Sequence, residues 1–365
     1  MKKLLFIYHG GTIGQIPEIR EGGRIILVVP ADGSQFREVC LPIISQYDDF
    51  FETTFEVITT KDSTNLNQKD WEKLIFRIKK AQDDEGFDAV AIAHGTDTLP
   101  YTATALSLAL HGRTPGRTGL RIPVCVTGAQ NPIYDEKGDG RTNLARMLET
   151  LKQAIILGIA DVMVNFDKRV LLGCRTLKVS ERRYDAMQSL SSPDVGEIDS
   201  SGVHLNSSLL RKRADAEDKL LLAPKFGRGV VGIELVPGLE PSLILGFIAN
   251  GGVAGMVLKS LGEGNVCCEG EFSLIPAIKR ATEEYLTPIF ITTKFAGGSS
   301  GACHYETGYE AIKAGGIACF DHTDVAVDVK VIWLIGNGIC ATVDDFKKAM
   351  ATSFAGEVTP PTELV

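Results

Sequence analysis

The stretch Ala89-Val90-Ala91-Ile92-Ala93 runs without a polar residue into His94-Gly95-Thr96-Asp97-Thr98, and Tyr101–Leu110 then follows with helical spacing. Five apolar residues are too few for a helix and read as a strand buried on both faces, so the segment is a strand, a polar turn and a helix in succession. The same succession repeats outward from it. Short apolar runs stand at Leu4–Tyr8, Phe55–Thr59, Val124–Thr127 and Asp161–Asn165, with helical spacing at Asn67–Ala81 and Thr142–Leu157. Strands alternating with helices predict a mainly parallel, doubly wound sheet. Around residues 200–228 the periodicity fades into polar residues, with Pro224, Gly227 and Gly229 ahead of the next strand. A second set follows: Val230–Leu235, the helix Glu240–Asn250, Gly255–Lys259, the helix Ser273–Glu284, Ile289–Thr293 and Tyr309–Ala314. The expected α/β fold is a larger N-terminal doubly wound, mainly parallel sheet domain plus a smaller C-terminal α/β parallel-sheet domain. The boundaries read from this pattern are residues 1–205, a linker at 206–228, and 229–365.

Composition narrows the function classes. A chain of 365 residues exceeds what one ordinary core organises, in keeping with two domains. The net charge of −8 repels a phosphate backbone, and the longest basic cluster is Arg211-Lys212-Arg213, so nucleic acid is not an expected partner. The eight cysteines lack Cys-x-x-Cys spacing and the density of a secreted scaffold, which reads as reduced thiols in a cytoplasm. Leu4–Tyr8 is too short for a signal-peptide core, and no apolar stretch approaches the roughly 20 residues of a membrane span. The six histidines show no His-x-x-x-His pairing, so no metal and no cofactor is expected.

Parallel sheets bind ligands at the carboxyl ends of their strands, and four such places are chemically unusual. His9-Gly10-Gly11-Thr12-Ile13-Gly14 follows the first strand. A dinucleotide fingerprint would need glycine at position 9 and a helix after it, and the following Gln15-Ile16-Pro17 opens none. What remains is a hydroxyl framed by glycines on a segment suited to a movable loop, although a threonine there is by itself more often structural. After the second strand stands Lys61-Asp62-Ser63-Thr64-Asn65, which also reads as a helix cap provided by Ser63 or Asn65. In His94–Thr98 one of Asp97 and Thr98 can cap the helix, which leaves the rest of that polar cluster unexplained. Lys178 follows Leu172–Leu177, and only its company distinguishes it from a solvated surface lysine.

Together these segments resemble the asparaginase family. Gly11-Thr12-Ile13-Gly14 is similar to its first signature and His94–Thr98 to its second. Val126-Thr127-Gly128-Ala129-Gln130 with Asp139-Gly140-Arg141-Thr142-Asn143-Leu144 matches a further stretch. Gly264-Asn265, Tyr305-Glu306-Thr307-Gly308 and Gly356–Pro360 resemble the bacterial cytosolic type I branch.

The resemblance implies hydrolysis of L-asparagine to L-aspartate and ammonia through a threonyl ester. Thr12 is then the nucleophile, Thr96 the second threonine and Lys178 its base, with backbone N–H groups near Thr96 at the oxyanion. Asp62, Ser63 and Asp97 grip the amino-acid head group. The periplasmic branch carries a tyrosine in the loop after the first threonine; residues 13–30 have none, and Tyr305 is the candidate for its role. The resemblance further implies a homodimer, or a dimer of dimers, in which Asn265 and Tyr305 reach a neighbour's site. Lys259 and Phe295 stand where some type I relatives bind a regulatory second asparagine through an arginine and a cysteine, so no effector response is expected. Two alternatives stay open: a glutaminase-asparaginase acting on both amides, since the two substrates differ by one methylene, and a non-catalytic amino-acid sensor. The retention of Thr12, Thr96 and Lys178 speaks against the sensor.

Overall fold

A computed structural model describes residues 1–30, 32–111, 119–217, 219–301 and 303–361. The chain divides into two compact units, and the division falls between Leu222 and Ala223.

The first unit is built on β1 (Lys2–Tyr8), followed by the hairpin β2 (Ile16–Ile19) and β3 (Ile25–Val28), then α1 (Ser34–Ile44), β4 (Phe51–Val57), α2 (Gln68–Asp83), β5 (Ala89–Ala93), α3 (Leu99–His111), β6 (Val124–Thr127), α4 (Gly140–Ile156) and β7 (Val162–Phe166). Strands β4, β1, β5, β6 and β7 lie side by side in that order and all run parallel. In chain order this is second, first, third, fourth, fifth, the arrangement in which the winding direction reverses between β1 and β5. Crevices for ligands open at such a reversal, outside the carboxyl ends of the strands. Every residue of β5, β6 and β7 is buried, the polar Thr127 and Asn165 included.

Beyond β7 the sheet turns antiparallel. Strand β8 (Arg169–Leu172) doubles back on β7 through Asp167-Lys168, with Asp167 in the left-handed region at φ 48°. The short pair β9 (Leu177–Lys178) and β10 (Met187–Gln188) follows, and β11 (Gly196–Asp199) with β12 (Gly202–Leu205) completes an eight-stranded sheet. The stretch 200–205, which the fading periodicity assigned to the approach of a linker, therefore contributes the edge strand. The segment after Thr12, read as a loop, is an antiparallel hairpin carrying exposed Ile19, Ile25 and Leu27.

The second unit has a four-stranded parallel sheet ordered β13 (Val230–Glu234), β14 (Gly255–Ser260), β15 (Ile289–Thr293) and β16 (Ile317–Ala318). Its helices are α5 (Pro241–Ala249), α6 (Ile275–Glu283), α7 (Glu306–Lys313), α8 (Asp324–Gly336) and α9 (Val343–Ala351). Ile244 and Ile248 of α5 and Ala277, Ile278 and Ala281 of α6 close over Met256, Leu258, Ile289 and Ile291 of the sheet. Burying each large aliphatic side chain in such a cluster stabilises by roughly 1.5–3 kcal/mol. A second interior feature is ionic. Lys330 on α8 is fully buried, 2.7 Å from the equally buried Glu357 carboxylate and 2.7 Å from the Thr352 carbonyl. Glu357 in turn accepts the N–H groups of Phe354 and Ala355, so the ion pair folds the C-terminal turn onto α8.

Candidate active site

Three loops converge at the winding reversal of the first unit, and glycine lets them meet at backbone distance. Gly11 has φ 86°, and a Cβ there would lie 2.0 Å from the Cα of Gly95; a Cβ on Gly95 would lie 2.6 Å from the side chain of Ser63. The loops after β1, β4 and β5 are thus interlocked through Gly11, Ser63 and Gly95. Hydrogen bonds reinforce the contact: Gly11 N–H donates to the Lys61 carbonyl at 3.2 Å, and the Thr98 hydroxyl to the Ser63 carbonyl at 2.8 Å.

Thr12 opens a short 3-10 turn over Thr12–Gly14 that closes with Gln15 N–H on the Thr12 carbonyl, and the Ile133 N–H reaches across to the Ile13 carbonyl. The Thr12 side chain is half-buried and its hydroxyl has no hydrogen-bond partner among the described residues, which leaves it available to a ligand. Thr96 is buried, and its Oγ1 accepts from Lys178 Nζ at 2.9 Å. The same ammonium donates to Asp97 Oδ1 at 2.6 Å. Lys178 therefore joins the second threonine to an acid whose side chain is 56% exposed, the one member of the trio open to a head group from solution. The Asp97 side chain holds Lys178, and the Thr98 hydroxyl holds the Ser63 carbonyl.

The loop after β4 departs from expectation. Neither Ser63 nor Asn65 caps α2; Asn67 does, with Asp70 returning the capping box. Asp62 caps the preceding 3-10 turn, accepting from the N–H and hydroxyl of Thr64, while its other oxygen accepts from Gln15 Nε2 at 2.9 Å. A carboxylate offers about four acceptor positions, so three are filled and one remains for an ammonium. Gln15, which sequence reasoning passed over, ties the Thr12 loop to the binding loop. Its signal was weak, since a glutamine after a glycine turn reads as surface.

Behind the site, Asp139 accepts from the backbone N–H groups of Gln130 and Asn131 and from the Asn143 amide, while Asn143 also holds the Gly128 carbonyl. These contacts explain why Thr-Gly-Ala-Gln and Asp-Gly-x-x-Asn occur together: the second element staples the first at the end of β6. Asn265 and Tyr305 lie in the second unit. Asn265 Oδ1 is buried without a hydrogen-bond partner among the described residues, and Tyr305 is exposed at the start of α7.

Residues 3–211 match the family model described as "Asparaginase, N-terminal", and residues 229–350 match "Glutaminase/Asparaginase C-terminal domain". The chain belongs to the asparaginase family. As a member, it is an amidohydrolase. It is 30% identical over 302 residues to an L-asparaginase of Thermococcus kodakarensis, covering 83% of this chain and 85% of that protein. A glutamyl-tRNA(Gln) amidotransferase polypeptide of Pyrococcus abyssi is 30% identical over 379 residues, covering 100% of this chain and 78% of that protein. The crystal structure of L-asparaginase I from Vibrio cholerae superposes with TM-score 0.81 at 27% identity, covering 98% of this chain and 99% of that one.

Two further observations bear on an asparaginase of this kind. Lys259, at the position resembling a regulatory site, is held by Asp324 and Asp328 at 3.1 Å each. Burial works against its charge, but the two carboxylates outweigh that and hold the ammonium above the usual lysine range. Phe295, the other position of that resemblance, is exposed. No group of three or more His, Cys, Asp or Glu side chains among the described residues could hold a metal, and no helix among them is long and apolar enough to cross a membrane.

Proposed function

We propose that the protein hydrolyses L-asparagine to L-aspartate and ammonia through a threonyl ester. The observation that carries this reading is the Thr96–Lys178–Asp97 chain, with contacts of 2.9 and 2.6 Å, at a strand-end crevice that also presents the free hydroxyl of Thr12. The substrate's α-ammonium binds Asp97 and the remaining acceptor position of Asp62, and Ser63 meets the α-carboxylate. An ammonium on Asp97 competes with Lys178 for the same carboxylate, which frees the lysine amine to exchange a proton with Thr96.

In the first half-reaction the Thr12 oxygen bonds to the side-chain amide carbon while its proton passes to the leaving nitrogen, and ammonia departs as the C–N bond breaks. In the second, water adds to the ester carbon, giving its proton to the Thr96–Lys178 pair. The C–O bond to Thr12 then breaks, Thr12 regains a proton and aspartate leaves. The hairpin β2–β3 begins directly after the Thr12 turn, so its closure would exclude water until ammonia has gone.

Ammonia release from asparagine by the purified protein tests the reading, with glutamine assayed beside it. A folded protein that releases ammonia from neither amide is not this enzyme, and turnover of both at equal kcat/KM establishes the glutaminase-asparaginase. The amidotransferase among the relatives makes the glutamine arm worth running. The eight free cysteines support a cytoplasmic setting.

A homodimer, or a pair of dimers, is part of the same proposal. Leu243 and Phe247 on α5, with Val236 nearby in sequence, expose an apolar face of the kind that pairing covers. Solution mass reads the assembly. Mixing inactive Thr12→Ala with inactive Asn265→Ala subunits reads whether Asn265 acts across it: restored activity supports this, and none under proven subunit exchange removes it.

A further inference from the structure

His9 and His94 are the last residues before the Thr12 and Thr96 loops, and both are fully buried. Their rings stack at 5.2 Å between centroids with an interplanar angle of 18°. The backbone fixes each in place: His9 N–H donates to the Ala93 carbonyl and His94 N–H to the Thr127 carbonyl, both at 2.8 Å. The pair thus lies directly beneath the Gly11–Gly95 contact on which both threonine loops turn.

The hydrogen bonding of the rings is unusual. His94 Nδ1 faces the Gly95 carbonyl at 2.7 Å, and a carbonyl only accepts, so this nitrogen carries the proton and Nε2 is a bare acceptor. Neither Nε2 of His94 nor either ring nitrogen of His9 has a partner among the described residues. A proton added to the pair therefore creates a buried N–H with nothing to receive it.

The carboxylates of the surrounding loops are engaged by other groups rather than by the two rings. Lys61 and Asp62 follow β4, Asp70 is on α2, Asp97 follows β5, Lys178 is on β9 and Asp139 precedes α4. Asp70 is bound by Lys61, Asp62 by Gln15 and Thr64, Asp97 by Lys178, and Asp139 by Gln130 and Asn131. Tyr8, the neighbour on β1, is held protonated by burial.

We propose that His9 and His94 are positioning residues that act as a neutral stacked pair supporting both threonine loops, and that a proton entering this pair disengages the loops. Burial, with the neighbouring His94 and Lys61 adding to it, places the His9 imidazolium well below the usual range; burial holds His94 at about 4. Because both folded values lie below the free imidazole's value of about 6.5, the pair's contribution is complete above that pH and is lost as pH falls toward the folded values.

The activity readout rests on the amide hydrolysis proposed above; the two other readouts do not. Denaturant unfolding of wild type, His9→Gln and His94→Gln is measured from pH about 4.5 to about 6.5, across which a group with a depressed folded value takes up a proton only on unfolding. Each variant should lose stability and also flatten the pH dependence by up to about one proton. If the variants do not fold, ring-15N histidine spectra of the wild type decide, and two neutral rings at pH about 5.5 are expected. In wild type, kcat/KM on asparagine should fall on acidification in step with ring protonation. Equal slopes in wild type and variants, or a charged ring at neutral pH, overturns the pair; activity lost while both rings remain neutral overturns its control of the loops. A protein inactive on asparagine and glutamine counts against the enzymatic reading alone, and the slopes and spectra still decide the pair.

Discussion

Lys178 in the first unit and Lys330 in the second each hold a carboxylate closely, at 2.6 Å to Asp97 and 2.7 Å to Glu357. Their surroundings separate them. Lys330 and Glu357 are sealed from solvent, and their other contacts include the Thr352 carbonyl, His322 Nε2 and the N–H groups of the Phe354–Ala355 turn. Around Lys178 one partner is a threonine hydroxyl and the other an exposed carboxylate at a strand end. On the proposed reading, a lysine–carboxylate pair in the same distance range serves as a clamp where every neighbour is committed and as machinery where a neighbour can exchange its partner for a ligand.

If that contrast holds, substitution separates rate from stability. The largest effect is expected from Lys178→Met, Thr12→Ala or Thr96→Ala, each lowering kcat on asparagine about 100- to 10,000-fold, the span of acid–base and nucleophilic contributions, with little change in melting temperature. A variant keeping more than about a tenth of wild-type kcat would falsify the role given to that residue.

Lys330→Met should do the reverse. Leaving Glu357 buried without its partner costs about 3–5 kcal/mol, read by denaturant unfolding, while kcat per folded molecule stays near wild type. Its pH dependence sharpens the point. Burial alone would raise the Glu357 carboxyl, but Lys330 and His322, with the Ala355 N–H, outweigh it and hold it at about 2, against an ordinary 4.5. Its stabilisation is therefore present above pH 4.5 and lost as pH falls toward about 2. In Lys330→Met only His322 and the Ala355 N–H are left to oppose burial, so that part of the acid dependence should shrink; an unchanged acid profile would mean the clamp is not where the second unit's acid sensitivity resides.

Smaller effects probe the open pair's pocket. Asparagine should be favoured over glutamine by about 1–3 kcal/mol in kcat/KM, the usual value of one methylene, and aspartate should inhibit competitively as product. The smallest expected departure is none: with Lys259 already occupied by Asp324 and Asp328, an asparagine titration should follow a simple hyperbola. A Hill coefficient clearly above one would show that this third lysine can be released by a ligand after all.

Legibility followed burial and periodicity. Most of the parallel strands and helices were readable, as with β5, an unbroken apolar run, and α2, with Trp71, Leu74, Ile75 and Ile78 on one face. Helices α1, α8 and α9 escaped notice, α8 because most of its surface is buried and its sequence lacks the alternation that marks a helix. The hairpin β2–β3 and the edge pair β11–β12 are four-residue strands whose pairing comes from partners rather than from local pattern. At the site, Thr12, Asp62, Ser63, Thr96 and Asp97 were legible as strand-end polar residues, while Lys178 and the role of each came from the resemblance to the asparaginase family. The bond from Gln15 to Asp62 and the stack of His9 on His94 were not, because each joins segments far apart in the chain and leaves no mark on either one.

The backbone contact between Gly11 and Gly95 carries a practical consequence. With the loops locked main chain to main chain, the spacing of the site is machined into the scaffold, and the threonines are tools seated in it. Exchanging a tool, as in Thr96→Ser, should leave the jig true. Adding a single methyl to the jig, as in Gly11→Ala, forces the loops apart and puts every tool out of alignment at once. An effort to redirect this protein to other amides has therefore to leave those two glycines alone and work on the side chains that line the crevice above them.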